Sequence, residues 1–386
     1  VMPNRPGAYE FGELGVETYR RLPAMLSDSL PDRWGNRLID ARLAQEGIPR
    51  AAITPLDRLA FTADRGIGAL EYRPPAFDPP GEPTAIQLAD LVVAARRAVS
   101  GRFGGDEAML VALGQLIEVG ASVGGIRPKA VVCFNPSTGQ VRSGQFEPLG
   151  GYEHWLIKLD GVEETGSLGV EAPGSDGNGR VELAYAAMAK DCGIEMMPCR
   201  RWIENERAHF MTRRFDRPAS GVKIHVQTLC ALDHLDFGMI DTHSYAQYLD
   251  VVDRLGLGAE AREQAFRRLA FNVAGVNHDD HPKNLSFCCN EHGDWSLSPA
   301  YDLCYAYNPH GRWTQRHQMS VNGKFEGIGR ADLLELGDRF AVPSPGKALD
   351  QVLDSVSRWA EFAEESGVAG PRIDAVEESL EAFRPT

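Results

Sequence analysis

Asp279, Asn284 and Asp302 are the residues of this chain whose types and spacing suit chemistry on a phosphoryl group. They share one stretch, residues 275–303, which reads GVNHDDHPKNLSFCCNEHGDWSLSPAYDL. Leu285 to Cys289 predicts a short strand, Glu291-His292-Gly293-Asp294 supplies turn residues, and Trp295 to Leu297 predicts the returning strand. Residues flanking the outer ends of an antiparallel hairpin are neighbours, so Asn284 and Asp302 are expected to converge within roughly 5 to 8 Å. An amide oxygen beside a carboxylate suits a hard cation that keeps several waters and takes its remaining ligands from phosphate. That describes Mg2+ carried by a nucleotide. Asp279, on the loop just before Asn284, stands where a carboxylate can accept the proton of a hydroxyl attacking phosphorus.

These side chains need elements to hold them. From Glu260 to Val273 the apolar residues Ala265, Phe266, Leu269, Ala270 and Val273 recur at steps of three and four, which predicts a helix buried on one side and ending at Gly275. The loop that follows carries His278, Asp279, Asp280, His281 and Lys283. Taken alone, that loop also fits the metal cluster of a hydrolase, or an unspecialised solvated turn.

Upstream, Val119 to Ala130 (VGASVGGIRPKA) is rich in glycine. Gly120, Gly124 and Gly125 let backbone amides approach an anion, while Ser122, Arg127 and Lys129 add a hydroxyl and charge. A plain hairpin fits the same residues. Val131 to Phe134 and Gly139 to Arg142 predict a hairpin, and His154 to Leu159 predicts a strand with Lys158 inside an apolar run. A buried ammonium needs an anionic partner. Glu182, in the helix expected over Arg180 to Cys192, is the candidate by position.

The order of base Asp, four residues, Asn, hairpin and metal-binding Asp is the order of protein kinases. In detail the stretch resembles the HipA family, bacterial serine/threonine kinases known as toxins of toxin–antitoxin modules. The likeness lies in Asp279-Asp280-His281-Pro282-Lys283-Asn284 and in Ser298-Pro299-Ala300-Tyr301-Asp302-Leu303, with further similar runs at Ser29 to Asn36, Ile224 to Leu232 and Gln318 to Lys324. The resemblance implies a two-lobed, protein-kinase-like α+β fold with a strand-rich N-terminal lobe and a mainly helical C-terminal lobe. It implies ATP and Mg2+ as cofactors, with Asn284 and Asp302 on the metal, Asp279 as base, and Lys158 supported by Glu182 on the phosphates. Gly124, Gly125, Ile126, Arg127, Pro128 and Lys129 would cradle phosphate, and Ser122 would be autophosphorylated. Arg213, Arg214 and Phe215 would form the hinge against adenine, with His281, Lys283 and Tyr301 completing the nucleotide site. The implied partners are a protein substrate (family targets include aminoacyl-tRNA synthetases) and a HipB-like helix-turn-helix antitoxin through which DNA is met indirectly. A small separate N-terminal subunit is also implied, because the family's strand-rich N-terminal segment reads as short here. A metal-dependent phosphohydrolase and a silent kinase-like binding scaffold remain alternatives.

Composition sets outer bounds. With 386 residues, 43% hydrophobic and 24% charged, the chain can bury a core of two or so domains. A formal net charge of −14 disfavours wrapping nucleic acid directly, since that rests on Lys and Arg neutralising phosphates. The seven cysteines form no CxxC pair, so neither a disulfide framework nor a zinc site is expected. No run is apolar enough for a membrane span or signal peptide, and the expected location is cytoplasmic. The pattern changes from strand-rich to helix-rich near residue 215, which divides the chain into residues 1–214 and 215–386. Strand over Gly66 to Tyr72 and one long helix over Pro345 to Gly367 are further expectations.

Overall fold

The computed structural model describes residues 11–76, 88–99, 114, 116, 128–144, 150–162, 177–204, 206–219 and 221–386. The fold is mixed α+β. It divides into two compact units interleaved in sequence, one of residues 1–28, 180–197 and 226–386, the other of residues 29–179 and 198–225. The chain thus passes between units four times rather than once near residue 215. The glycine-rich residues Ser122, Gly124, Gly125, Ile126 and Arg127 lie outside the described residues, as does most of the segment between 161 and 178.

In the unit of residues 29–179 and 198–225, five antiparallel strands are ordered β2-β1-β3-β5-β4: β1 Lys129–Phe134, β2 Val141–Ser143, β3 Glu153–Lys158, β4 Cys199–Glu204 and β5 Arg207–Arg213. Strand β1 is buried along its whole length, as its run of apolar residues dictates. Its residues pack with Trp34, Leu38 and Ile39 from the helix Arg33–Gln45, whose N-terminus is capped by Asp32 accepting from the Gly35 N–H. The Trp34 indole also donates to the Lys129 carbonyl at 3.3 Å, tying helix to strand.

Residues 66–72 are not a strand. Gly66 gives its carbonyl to the guanidinium groups of Arg214 and Arg217, at 3.0 and 3.1 Å, and the Gly68 N–H goes to the Asp216 carboxylate at 2.8 Å. Backbone groups satisfied by a buried ion cluster have none left for a ladder.

The other unit is mainly helical. Its core is built on the helices Tyr245–Arg254, Gly258–Ala274 and Pro345–Ser357, with Phe266, Leu269, Phe271, Leu349 and Val352 fully buried. Ser244 and Gln247 form a capping box at the first of these, the Ser244 N–H donating to Gln247 at 2.8 Å. Strands β6 His225–Thr228, β8 Ser286–Cys289 and β9 Trp295–Leu297 form a small sheet in the order β6-β8-β9. Strand β7, His243–Ser244, pairs in parallel with β10, Met319–Ser320. The long helix expected to Gly367 is two helices, Pro345–Ser357 and Trp359–Glu365, broken at Arg358 (φ −97°, ψ 23°). Trp359 turns its indole N–H onto the Ile373 carbonyl at 3.1 Å, which fixes the new direction.

Candidate active site

Helix Gly258–Ala274 delivers the chain into the site. At its end Tyr185 donates to the Gly275 carbonyl at 2.7 Å, and a Cβ on Gly275 would come within 2.8 Å of the Phe271 carbonyl oxygen. Only glycine lets the chain leave the helix this closely. Val276 then adopts φ +51°, a costly conformation for a β-branched residue, held by Asn277 N–H on Asn272 O at 2.9 Å and Ala306 N–H on Val276 O at 3.1 Å.

The expected hairpin forms. Phe287 faces Leu297, Cys288 faces Ser296 and Cys289 faces Trp295, and the Ser298 N–H donates to the Ser286 carbonyl at 3.0 Å. Beyond its outer ends, Asn284 and Asp302 line one pocket together with Arg268, Asn272, Asn277 and Tyr301. Asp302 has φ +52°, and its carbonyl accepts from the Asn277 side chain at 3.3 Å. A non-glycine residue held in the left-handed region beside a candidate metal position is where strain of functional use is found. The Asn284 side-chain N–H donates to the Asp279 carbonyl at 2.8 Å, which closes the loop upon itself. Tyr301 is half-buried, its hydroxyl set between Ser286 and the Lys283 carbonyl, 2.9 Å away, and desolvation there raises its phenol far above the ordinary range.

Asp279 is half exposed, with His281 Nε2 3.8 Å from its Oδ1 and the Gln318 amide donating to the same oxygen at 3.2 Å. Lys283 lies with its Nζ 4.6 Å from the centre of the Phe237 ring, a cation–π contact that fixes its stem beside the loop.

Asp280, to which its place in the sequence assigns no role of its own, anchors the loop. It is buried and accepts from Tyr245 Oη at 2.7 Å, His317 Nδ1 at 2.9 Å and the Gln318 N–H at 2.7 Å. Burial alone would raise its carboxyl, but His317 and these donors outweigh that and hold it below its ordinary value. His278 is buried too, stacked on His317 with ring centres 4.3 Å apart and edge-on to Phe383. The His278-Asp279-Asp280-His281 run therefore does not gather as a metal cluster. Two of its four members are spent on packing, and among the described residues no three His, Cys, Asp or Glu side chains are placed to hold a metal.

In the sheet unit, register sets Lys158 directly opposite Lys129 on one side and Phe210 on the other, with Nζ 5.7 Å from the Phe210 ring centre. Directly opposed residues share a face, so two ammonium stems stand side by side, a placement that suits an anion. Pro128, the residue before this strand, accepts from the Leu159 N–H at 2.9 Å. Glu182, buried on the helix Asn178–Asp191, belongs to the other unit.

Arg214 is 5% exposed and its guanidinium is committed to Asp216 at 2.9 and 2.6 Å. Arg213 pairs at the surface with Glu153 at 3.4 Å, and Phe215 is half buried. The side chains of both arginines are thus occupied within the sheet unit, and their backbone N–H groups donate to the Pro198 and His154 carbonyls at 3.0 and 2.9 Å.

Residues 121–363 match the HipA-like C-terminal domain, and residues 1–73 match the HipA N-terminal domain. The chain belongs to the HipA family. The match to the HipA N-terminal domain lies within this same chain. The HipA toxin of Shewanella oneidensis MR-1, solved with HipB and its operator DNA, shares this HipA-like fold, with a TM-score of 0.61 at 16% identity. The match covers 94% of this chain and 84% of that one. The Helicobacter pylori proinflammatory kinase CtkA aligns at a TM-score of 0.35 and 10% identity over 60% of this chain and 91% of its own, a likeness too weak to bear on the fold. No curated protein matches the chain in sequence. Among the described residues, no helix is long and apolar enough to cross a membrane.

Proposed function

We propose that this chain is an ATP- and Mg2+-dependent protein serine/threonine kinase of the HipA toxin type. The observation that carries the reading is the pocket where Asn284 and Asp302 meet beyond the ends of one hairpin, with Asp279 on the loop that leads into it. The residues present fit a magnesium nucleotide: an amide oxygen and a carboxylate offer two hard ligands, leaving the remaining positions to water and phosphate. When bound, the metal would neutralise charge on the phosphates during transfer.

In this reading Asp279 orients the substrate hydroxyl and receives its proton. Lys158 and Lys129 hold the phosphates with Gly124 to Pro128, and Glu182 pairs with Lys158. Main-chain groups of Arg213 to Phe215 meet adenine, while His281, Lys283 and Tyr301 border the nucleotide. Ser122 is the self-modification site. The substrate is a serine or threonine of a cellular protein, an aminoacyl-tRNA synthetase being the kind of target the family takes. The cytoplasm is where it acts. A HipB-like helix-turn-helix antitoxin is the proposed partner, supported by the Shewanella complex, and DNA is reached through it.

Mass spectrometry of the purified chain after incubation with ATP and Mg2+ tests this. The expected result is added phosphate at Ser122 in the wild type and none in Asp279→Asn. Absence of phosphate from the wild type and from a co-purified partner would overturn it.

A further inference from the structure

Gln318 is 39 positions from Asp279 in sequence and beside it in the fold. Its side-chain N–H donates to Asp279 Oδ1 at 3.2 Å, and its backbone N–H donates to Asp280 Oδ1 at 2.7 Å. One residue therefore grips two consecutive carboxylates of the loop, each by a different part of itself.

The two ends of the side-chain bond are in unlike surroundings. The Asp279 side chain is 50% exposed, whereas Gln318 is only 6% exposed. A carboxylate in contact with solvent samples several rotamers, and a donor fixed in the interior selects one of them. Gln318 is itself held on both sides. His317 bonds Asp280 through its ring at 2.9 Å and the Phe325 carbonyl through its N–H at 3.1 Å, while Met319 and Ser320 pair with His243 and Ser244.

The chemistry of the donor matters as well. A lysine or arginine in this place would form an ion pair and weaken the carboxylate as a base, whereas a neutral amide orients it at smaller cost to basicity. We propose that Gln318 is a positioning residue for Asp279, fixing the rotamer of the carboxylate that receives the hydroxyl proton. The proposal rests on the phosphotransfer reading above and gives a role to the Gln318 to Lys324 run.

Gln318→Leu removes the donor at similar volume, and Gln318→Met removes it on an unbranched chain of similar length. Neither touches the backbone bond to Asp280, so thermal midpoints should stay close to wild type. Steady-state phosphoryl transfer should show kcat lowered about ten- to a hundredfold in both, with KM for ATP within about twofold of wild type. If Gln318→Leu fails to fold, the unbranched Gln318→Met carries the test. Wild-type kcat in the folded variants, or a raised KM at unchanged kcat, would overturn the positioning role alone. A wild type without Mg2+- and ATP-dependent transfer would instead sink the parent reading and this one with it.

Discussion

The side-chain amide of Asn284 donates to the backbone carbonyl of Asp279 at 2.8 Å. With its nitrogen committed, the same amide has its oxygen to offer a cation, on the wall of the pocket it shares with Asp302. Asn284→Ala should lose both functions, lowering stability by about 1 kcal/mol and weakening magnesium nucleotide binding. A thermal-shift titration checks the second effect. Wild type should gain several degrees with Mg2+ and ATP, and Asn284→Ala and Asp302→Ala should gain little.

Asp280 joins the catalytic loop to the rest of its unit through three bonds. Asp280→Ala leaves the Tyr245 hydroxyl, the His317 ring and the Gln318 N–H without their buried acceptor. The expected loss is about 3–5 kcal/mol, read from the urea midpoint, with phosphoryl transfer lost alongside. A change below about 1 kcal/mol would show that the network is dispensable.

Two buried histidines predict acid sensitivity. Burial lowers His209 and His278 from 6.5 to about 4 each, His278 with added repulsion from His317. Between these values the unfolded chain binds protons that the folded one refuses, so stability falls as pH drops from about 6.5 toward 4 and is level above that window. Each contributes up to about 3 kcal/mol. His209 Nδ1 accepts from the Asp160 N–H at 2.9 Å, an arrangement that requires the neutral ring. Urea unfolding at pH 7 and pH 4.5 measures the slope, and His209→Gln should make it shallower.

Gly179 marks a close backbone approach at the start of the Glu182 helix. A Cβ there would overlap the Ala208 carbonyl oxygen and lie 2.9 Å from the Phe210 nitrogen, atoms of β5 that cannot swing aside. Gly179→Ala should cost at least about 1–3 kcal/mol in thermal or urea unfolding. Wild-type stability would mean that the backbone at residue 179 can shift away from Ala208 without penalty.

What the sequence made legible was local. The helix Gly258–Ala274, the hairpin of β8 and β9, and the strand carrying Lys158 follow from periodicities within a dozen residues, and each lies within two residues or so of expectation. That Asn284 and Asp302 line one pocket follows from the hairpin itself. Long-range pairings were not legible. Asp280 takes its partners from 35 to 38 positions away, so its burial left no mark on the neighbouring residues. Residues 66–72 have strand-like composition, yet their carbonyl and amide groups answer to Arg214, Asp216 and Arg217. The helix break at Arg358 is hidden because Val356, Trp359 and Ala363 keep the apolar rhythm across it.

Transfer of phosphate from ATP by wild type and by Asp279→Asn, each assayed with Mg2+ beside a magnesium nucleotide binding titration, tests the central claim most directly. The account predicts that both bind the nucleotide and only the wild type transfers its terminal phosphate. Equal transfer by the two proteins, or nucleotide binding indifferent to Asp302→Ala, would contradict it.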